Sequence, residues 1–222
     1  MDGADAIKYI VKNRIPGAVV ECGVQTGKYE HIWIHELMYQ GKTRDIYMYD
    51  TFAGLTAPGE YDYTTDHGVY KMTKDEVLNK WNSRKIDDTT NEWCYTPLEK
   101  VKDFLNSTGY PQHKLHYIVG DVMQTLQNPA NIPDEIAILR LDTDWYESSK
   151  FELEKMYDNV VDGGLVIFDD YYHWDGQRRA TDEFFESRGI VCDFIKKNNQ
   201  TATIIKNRKY VRPVNHISWL RR

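Results

Sequence analysis

Carboxylates follow two strands that the sequence predicts in its last third. Asp142 follows the apolar run 136–141, and Asp169 and Asp170 follow 165–168. Because these strands should be neighbours, we expect Asp142 and at least one of the pair to converge, where like charges raise each other's pKa unless a cation intervenes. All-oxygen ligation favours a hard ion, so the sequence predicts a magnesium site, with manganese or calcium as substitutes. The alternative is that these acids cap the following helices and face water.

A loop with glycines joins the first predicted strand to a helix. Gly23 and Gly27 lie in the segment 21–27, where glycines let the backbone approach a ligand and leave helix amides free to contact it. The loop lacks a full G-x-G-x-x-G pattern, so a tight turn without a ligand stays open as an interpretation. Asp50 ends the second predicted strand and is placed to accept both hydroxyl protons of a ribose, as in sites for adenosine-bearing cofactors. A solvated turn acid is its alternative.

Two other charged residues favour structural roles. Asp144 and Glu147 have the spacing of a helix cap, which predicts capping rather than metal ligation for Asp144. Arg140 lies inside an apolar strand and, if buried, must pair with an acid such as Glu21.

The elements that would position these residues alternate along the chain. Apolar runs predict strands at 18–22, 46–49, 115–119, 136–141 and 165–168, and helical spacing predicts helices at 4–13, 27–40, 96–107, 144 to about 160 and 177–187. Thr96 and Glu99 predict a capping box for the third helix. Two short strands, 191–195 and 202–205, predict a terminal antiparallel hairpin. The pattern indicates an α/β protein with a doubly wound parallel sheet, which binds ligands beyond the carboxyl ends of its strands.

Composition excludes several classes of partner. The 222 residues fit one domain, and 28 basic against 34 acidic residues provide no basic field for nucleic acid. The sequence contains neither an apolar run of membrane-spanning length nor a signal-peptide pattern at its start, so we expect no membrane partner and a cytoplasmic location. The three widely spaced cysteines suggest neither a disulfide framework nor a zinc site.

Ordered motifs along the chain resemble the macrocin O-methyltransferase family of sugar-modifying enzymes. They are Val20-Glu21-Cys22-Gly23-Val24, Tyr49-Asp50-Thr51-Phe52-Ala53-Gly54-Leu55, Leu139-Arg140-Leu141-Asp142-Thr143-Asp144-Trp145-Tyr146-Glu147-Ser148, Gly163-Gly164-Leu165-Val166-Ile167-Phe168-Asp169-Asp170-Tyr171, Trp174-Asp175-Gly176 and Ala180-Thr181-Asp182-Glu183-Phe184. Together they cover most of the chain outside residues 58–95. We expect that segment to be an insertion within a single domain of residues 1–222, acting as a lid or an oligomer contact.

The resemblance implies a Rossmann-like class I methyltransferase fold. It has a mostly parallel seven-stranded sheet, helices on both faces and a C-terminal antiparallel hairpin. It implies S-adenosylmethionine as cofactor, with Asp50 on the ribose, Asp121 near the adenine, and a pocket shaped by Glu21, Gly23 and Gly27.

The resemblance also implies a metal on Asp142, Asp169 and Asp170, with Asp142 as the general base. His173, a loop histidine just past the paired aspartates, is a rival base because imidazole titrates in the useful range. The expected acceptor is a hydroxyl of a small molecule, a sugar or glycosylated metabolite with vicinal hydroxyls, and a homo-oligomer stays open as an assembly state.

Three other functions stay open on the sequence. A nicotinamide-dependent dehydrogenase would share the fold and Asp50, but it has no use for three converging aspartates. A metal-dependent hydrolase would explain the aspartates without the glycine loop. A non-catalytic protein that binds an adenosine cofactor would explain the loop without the metal.

Overall fold

The structure is a computed structural model, which describes residues 3–66, 68–196 and 198–206. Residues 1, 2 and 207–222 of the predicted single domain lie outside this range. No helix in the described range is both long enough and apolar enough to cross a bilayer.

A seven-stranded sheet forms the centre of the molecule. Its strands, β1 to β7, are Ala18–Cys22, Ile46–Asp50, Leu115–Val119, Ile136–Leu141, Val160–Phe168, Ile195–Lys196 and Ala202–Ile205. Their order across the sheet is β3-β2-β1-β4-β5-β7-β6. The first five strands run parallel, whereas β7 is antiparallel to β5 and to β6. The predicted α/β class, parallel sheet and terminal hairpin are therefore confirmed.

Helices cover both faces of this sheet. Those in the described range, α1 to α7, are Gly3–Lys12, Lys28–Tyr39, Lys74–Ser83, Leu98–Asn106, Val122–Thr125, Tyr146–Met156 and Asp175–Ser187. One apolar core lies between the sheet and α1, α2 and α4, and a second lies beneath α6 and α7. The central strands β1 and β4 are buried along their whole length, as expected for parallel strands covered on both sides.

Helix starts differ from the sequence predictions. The predicted capping box at Thr96 is wrong, because α4 starts after Pro97 without a side-chain cap. A complete capping box occurs instead at Thr73 and Glu76, before α3. The pattern alone does not determine which candidate adopts the geometry, because tertiary contacts fix where each helix begins.

The segment 58–95 packs against the carboxyl edge of the sheet. Thr64 forms a β-bridge with Trp174, and the Thr65 amide donates to the His173 carbonyl at 2.7 Å. A third apolar cluster joins α3 to the loops beside the predicted metal site through Val77, Trp145 and Trp174, with Trp93 packed against it. The described part of the segment thus covers the side of the sheet where ligands are expected.

Candidate functional site

Backbone hydrogen bonds continue past the ends of β1, β2, β4 and β5. The Gly23 amide donates to the Tyr49 carbonyl at 2.8 Å, and the Asp142 amide donates to the Cys22 carbonyl at 2.8 Å. The Asp169 amide donates to the Leu141 carbonyl at 3.0 Å. The parallel register therefore places the first loop and the strand-end acids along one edge.

Asp50 organises the first loop. Its Oδ2 accepts from the amides of Val24 and Gln25, each at 2.8 Å, and its Oδ1 accepts from the amide of Phe52 at 2.6 Å. Burial raises the pKa of Asp50, and these amide hydrogen bonds oppose that rise by stabilising the carboxylate. Asp50 thus orders the turn as a largely buried carboxylate and not as a solvated turn acid, and the same side chain lines the cleft where the ribose is predicted.

The two predicted loop glycines have different roles. Gly23 has φ of 88°, and a Cβ there would lie 2.0 Å from the Asp142 carbonyl oxygen, so only glycine fits beside the loop that follows β4. Gly27, with φ of 76°, precedes α2 as its N-cap. Gly23 lines the cleft, whereas Gly27 and Glu21 are not among its lining residues.

Three carboxylates converge beside the cleft, and two of them, Asp142 and Asp144, line it. Asp142, Asp144 and Asp170 each offer one oxygen, and these oxygens lie within 4.8 Å of one another. Burial, followed by the charge of neighbouring carboxylates, raises the pKa of Asp142 and Asp170 well above the usual range, although Arg140 lowers that of Asp142. Burial also raises the pKa of Asp144 to about 7. Such a cluster has the donor chemistry for a hard cation.

The capping role predicted for Asp144 is wrong. Helix α6 starts after Trp145 without a side-chain cap from its own sequence neighbours, and Asp144 has φ of 66°, in the left-handed region. Its carboxyl group interacts with Asp170 instead. The cap comes from Asp62 of the insertion, whose Oδ1 accepts from the Tyr146 amide at 2.8 Å.

Arg140 joins the acids behind the cluster. Its guanidinium, which is 2% exposed, pairs with Glu21, confirming the predicted structural ion pair. The same group contacts Asp142 Oδ2 at 2.7 Å and Asp169 Oδ1 at 2.7 Å. Tyr29 stacks on it, with its ring centroid 3.6 Å from Cζ. Asp169 is therefore tied to Asp142 through Arg140.

The remaining predicted site residues are Asp121 and His173. Asp121 lines the cleft after β3, and its side chain accepts from the Met123 amide at 2.8 Å as the cap of α5. His173 is buried, and its Nδ1 lies 3.1 Å from the Val69 amide. In a neutral imidazole only one of the two nitrogens can accept a hydrogen bond, and here that nitrogen accepts from the Val69 amide. That contact favours a structural role for His173.

A cleft of about 240 Å³ is lined by Gly23, Asp50 and Asp121 of the first three strand ends and by Asp142, Asp144 and Asp169 of the acidic region, whereas Asp170 is not among its lining residues. Its wall includes Cys94, which the sequence analysis did not select, and burial raises the pKa of this thiol to about 12. The lining residues are Gly23, Gln25, Tyr49, Asp50, Thr51, Gly54, Leu55, Thr56, Cys94, Gly120, Asp121, Val122, Asp142, Thr143, Asp144, Ser148 and Asp169. The glycine loop and the acids thus face the same space.

The fold and the position of this cleft define a class I methyltransferase architecture. The solved O-methyltransferase NovP superposes with a TM-score of 0.76 at 24% identity, covering 93% of this chain and 78% of that one. The TDP-rhamnose 3'-O-methyltransferase CalS11 gives a TM-score of 0.60 at 19% identity, with 91% and 77% covered.

Residues 2–206 match the macrocin-O-methyltransferase (TylF) family, and the chain belongs to it. It is 27% identical to demethyldecarbamoylnovobiocin O-methyltransferase of Streptomyces niveus, over 85% of this chain and 66% of that protein. It is 26% identical to a tetracenomycin 4'-O-methyltransferase of Streptomyces olivaceus that acts on a rhamnosyl derivative, over 74% and 57%. The chain spans about two thirds or less of the length of these two relatives.

Proposed function

We propose that this protein transfers a methyl group from S-adenosylmethionine to a hydroxyl of a saccharide-containing small molecule, with the help of a divalent metal ion. The observation that carries this proposal is the shared cleft. Asp50 and Gly23 line one part of it, and Asp142 and Asp144 line another. A methyl donor and an acidic metal site must be adjacent for methyl transfer to a metal-activated hydroxyl.

The first loop supports the cofactor assignment. Asp50 fixes the loop amides and lines the cleft, as expected for an acid that holds a ribose. Two further solved methyltransferases with this fold contain S-adenosylhomocysteine, at TM-scores of 0.52 and 0.51. A nicotinamide dinucleotide is a weaker fit because the loop lacks the full glycine fingerprint.

The aspartates support the metal assignment. Asp142 and Asp170 belong both to the predicted ligand set and to the converging group, while Asp169 and Asp144 compete for the third position. Burial raises the pKa values of the converging acids, so a bound cation would offset the cost of ionising them together. Such a cation, magnesium by preference, would stabilise negative charge developing on the acceptor oxygen.

Two aspartates are candidates to receive the acceptor proton. Asp142 is the base that we propose, because it lines the cleft and belongs to the ligand set. Asp144 also lines the cleft, and its carboxyl group interacts with Asp170 of the proposed ligand set. His173 ranks below both because the Val69 amide occupies its Nδ1 lone pair.

The relatives support the kind of acceptor that we propose, and the segment 58–95 supports how the acceptor is covered. Methyltransferases of Streptomyces niveus and Streptomyces olivaceus act on glycosylated metabolites or their derivatives, so we infer a sugar with vicinal hydroxyls as the acceptor here. Residues 58–95 would cover it. Lys80 of this segment lies over the Trp93 ring at 3.7 Å, and its charge interacts with that of Asp144, which supports a role for this segment beside the acceptor.

Calorimetric titration tests the cofactor and metal assignments together. S-adenosylhomocysteine and Mg²⁺ are titrated in turn into metal-stripped protein and into the Asp142→Asn variant. We expect micromolar cofactor binding by both proteins, and at least a roughly 100-fold loss of Mg²⁺ affinity in the variant, because a ligand is neutralised. Asp103→Asn, an exposed site on α4, is the matched control and should bind both ligands like the wild type.

The hydrolase and the non-catalytic cofactor-binding protein would each give a different binding pattern in this titration. Folded wild-type protein that binds neither S-adenosylhomocysteine nor S-adenosylmethionine would contradict methyl transfer and favour a hydrolase, which hydrolysis of a phosphoester without a methyl donor would reveal. Cofactor binding without Mg²⁺ binding or acceptor turnover would favour the non-catalytic protein.

The lid role is tested at Lys80. Lys80→Met should raise the KM for the unmethylated sugar acceptor by about tenfold and leave S-adenosylhomocysteine affinity unchanged, because the proposed lid brings its ammonium group to the acceptor. Unchanged kinetics, combined with a change in oligomeric state by size-exclusion chromatography, would assign the segment to a subunit contact.

A further inference from the structure

Three strand-end aspartates each have one oxygen engaged by a donor from the protein. Arg140 contacts Asp142 through Oδ2 and Asp169 through Oδ1, both at 2.7 Å. Gln200, from the turn between β6 and β7, donates its Nε2 to Asp170 Oδ1 at 2.5 Å. In each carboxylate the donor occupies one oxygen and leaves the second oxygen to another partner.

The two donors are themselves held in place. Arg140 is 2% exposed, pairs with Glu21 and stacks on Tyr29, so its guanidinium cannot swing away without leaving charges unpaired. Gln200 is fixed through its backbone, because its carbonyl accepts from the Tyr172 amide at 2.9 Å and its amide donates to Asn198 Oδ1 at 2.9 Å. Both donors therefore constrain carboxylate orientation before any cation binds.

A carboxylate with one oxygen already engaged by a donor favours presenting its other oxygen to a cation, because the engaged oxygen has fewer lone pairs left and a fixed orientation. Mg²⁺ requires a compact octahedral shell and usually accepts one oxygen from each carboxylate, whereas Ca²⁺ takes six to eight oxygens and readily binds a carboxylate through both. Partners that orient ligands typically contribute 10- to 100-fold to metal affinity. The arrangement around these aspartates thus matches the smaller ion.

We propose that Arg140 and Gln200 are positioning residues that make this site prefer Mg²⁺ over Ca²⁺ by disfavouring bidentate ligation. This inference rests on the proposed metal-dependent function, and it adds a structural cause for the identity of the metal. It also assigns a role to the C-terminal hairpin, which supplies Gln200 to a site otherwise built from β4 and β5.

The test measures metal selectivity rather than turnover. Mg²⁺ and Ca²⁺ are titrated separately, with S-adenosylhomocysteine present, into wild type, Gln200→Leu and Arg140→Lys, and the ratio of the two Kd values is compared. We expect the preference for Mg²⁺ to fall about tenfold in Gln200→Leu, because Asp170 regains a free oxygen. Arg140→Lys should shift the ratio in the same direction. Gln127→Leu, at an exposed glutamine near α5, should leave it unchanged.

The outcomes separate this inference from the proposed function. If wild type binds Mg²⁺ and both variants keep the same ratio of Mg²⁺ and Ca²⁺ Kd values within about twofold, the two donors do not set the preference. The metal-dependent function would then still stand. Wild type that binds neither ion would overturn both. Circular dichroism checks folding, and Gln200→Leu decides the question if Arg140→Lys does not fold, because Gln200 is only half-buried.

Discussion

At the scale of single residues, Gly23 shows how closely the two halves of the cleft approach each other. Its missing side chain makes room for the Asp142 carbonyl, which a Cβ would meet at 2.0 Å. The loop that organises the predicted cofactor pocket and the loop that carries the predicted metal ligand are therefore in backbone contact. A change at this glycine should affect both halves.

We predict that Gly23→Ala lowers the free energy of unfolding by at least about 2 kcal/mol more than Gly41→Ala does. Both glycines have positive φ, which costs an alanine about 1–2 kcal/mol, but a Cβ at Gly41 would meet no atom within 4 Å. Urea unfolding of the two variants measures the difference. If both variants lose the same free energy of unfolding, the loops after β1 and β4 can move apart to accommodate the extra Cβ, and the prediction is wrong.

The sequence predicts some of these residues and misses others for physical reasons. Asp142 and Asp170 were predicted because strand neighbours bring their carboxyl ends together. Asp144 was misassigned because its spacing from Glu147 matches a capping pattern, while the left-handed backbone that directs it toward Asp170 depends on packing. Gln200 gave no sequence signal, because it lies 30 positions beyond the acid that it contacts.

At the scale of elements, α6 depends on a residue outside its own sequence. Asp62 is buried, and besides the Tyr146 amide it accepts from the Gly59 amide at 2.6 Å. The central strands and most helices follow from local periodicity and were predicted closely, whereas β5 begins earlier, at Val160, and β6 is only Ile195–Lys196. This cap joins residues 84 positions apart, so a local pattern could not reveal it.

Asp62→Ala should lower the free energy of unfolding by roughly 1–3 kcal/mol, because two amides lose their acceptor in a buried setting. Asp66→Ala is the matched control within the same segment. Asp66 has a 96% exposed side chain and a 3.8 Å contact with Lys71, so its removal should change stability by no more than about 0.5 kcal/mol. Denaturant titration of both variants measures the two effects, and similar losses would refute the capping role.

At the scale of the whole molecule, buried acids link stability to pH. Burial raises the pKa of Glu30, and it raises that of Glu152 to about 8. Glutamates in an unfolded chain ionise near pH 4.3. The folded state therefore retains protons that the unfolded state loses, and stability falls as pH rises between these values.

We predict that Glu152→Gln raises the Tm relative to wild type, by an amount that grows from pH 5 to pH 8. The glutamine cannot ionise, and its oxygen can still accept from Thr143 Oγ1, which lies 2.9 Å from Glu152 Oε1. Glu154→Gln, at an exposed position on the same helix, is the control and should show little pH dependence. Thermal unfolding across this range measures the effect, and a constant Tm difference would contradict it.

The cap that Asp62 provides also limits how family members can be recombined. The segment 58–95 resembles an exchangeable module, since it lies between β2 and α4 and covers one side of the cleft. A chimera that imports this segment from a relative without an acceptor at position 62 would leave α6 uncapped beside Asp144. Exchange of substrate preference by grafting therefore requires transfer of the segment together with the start of α6, or retention of the host aspartate.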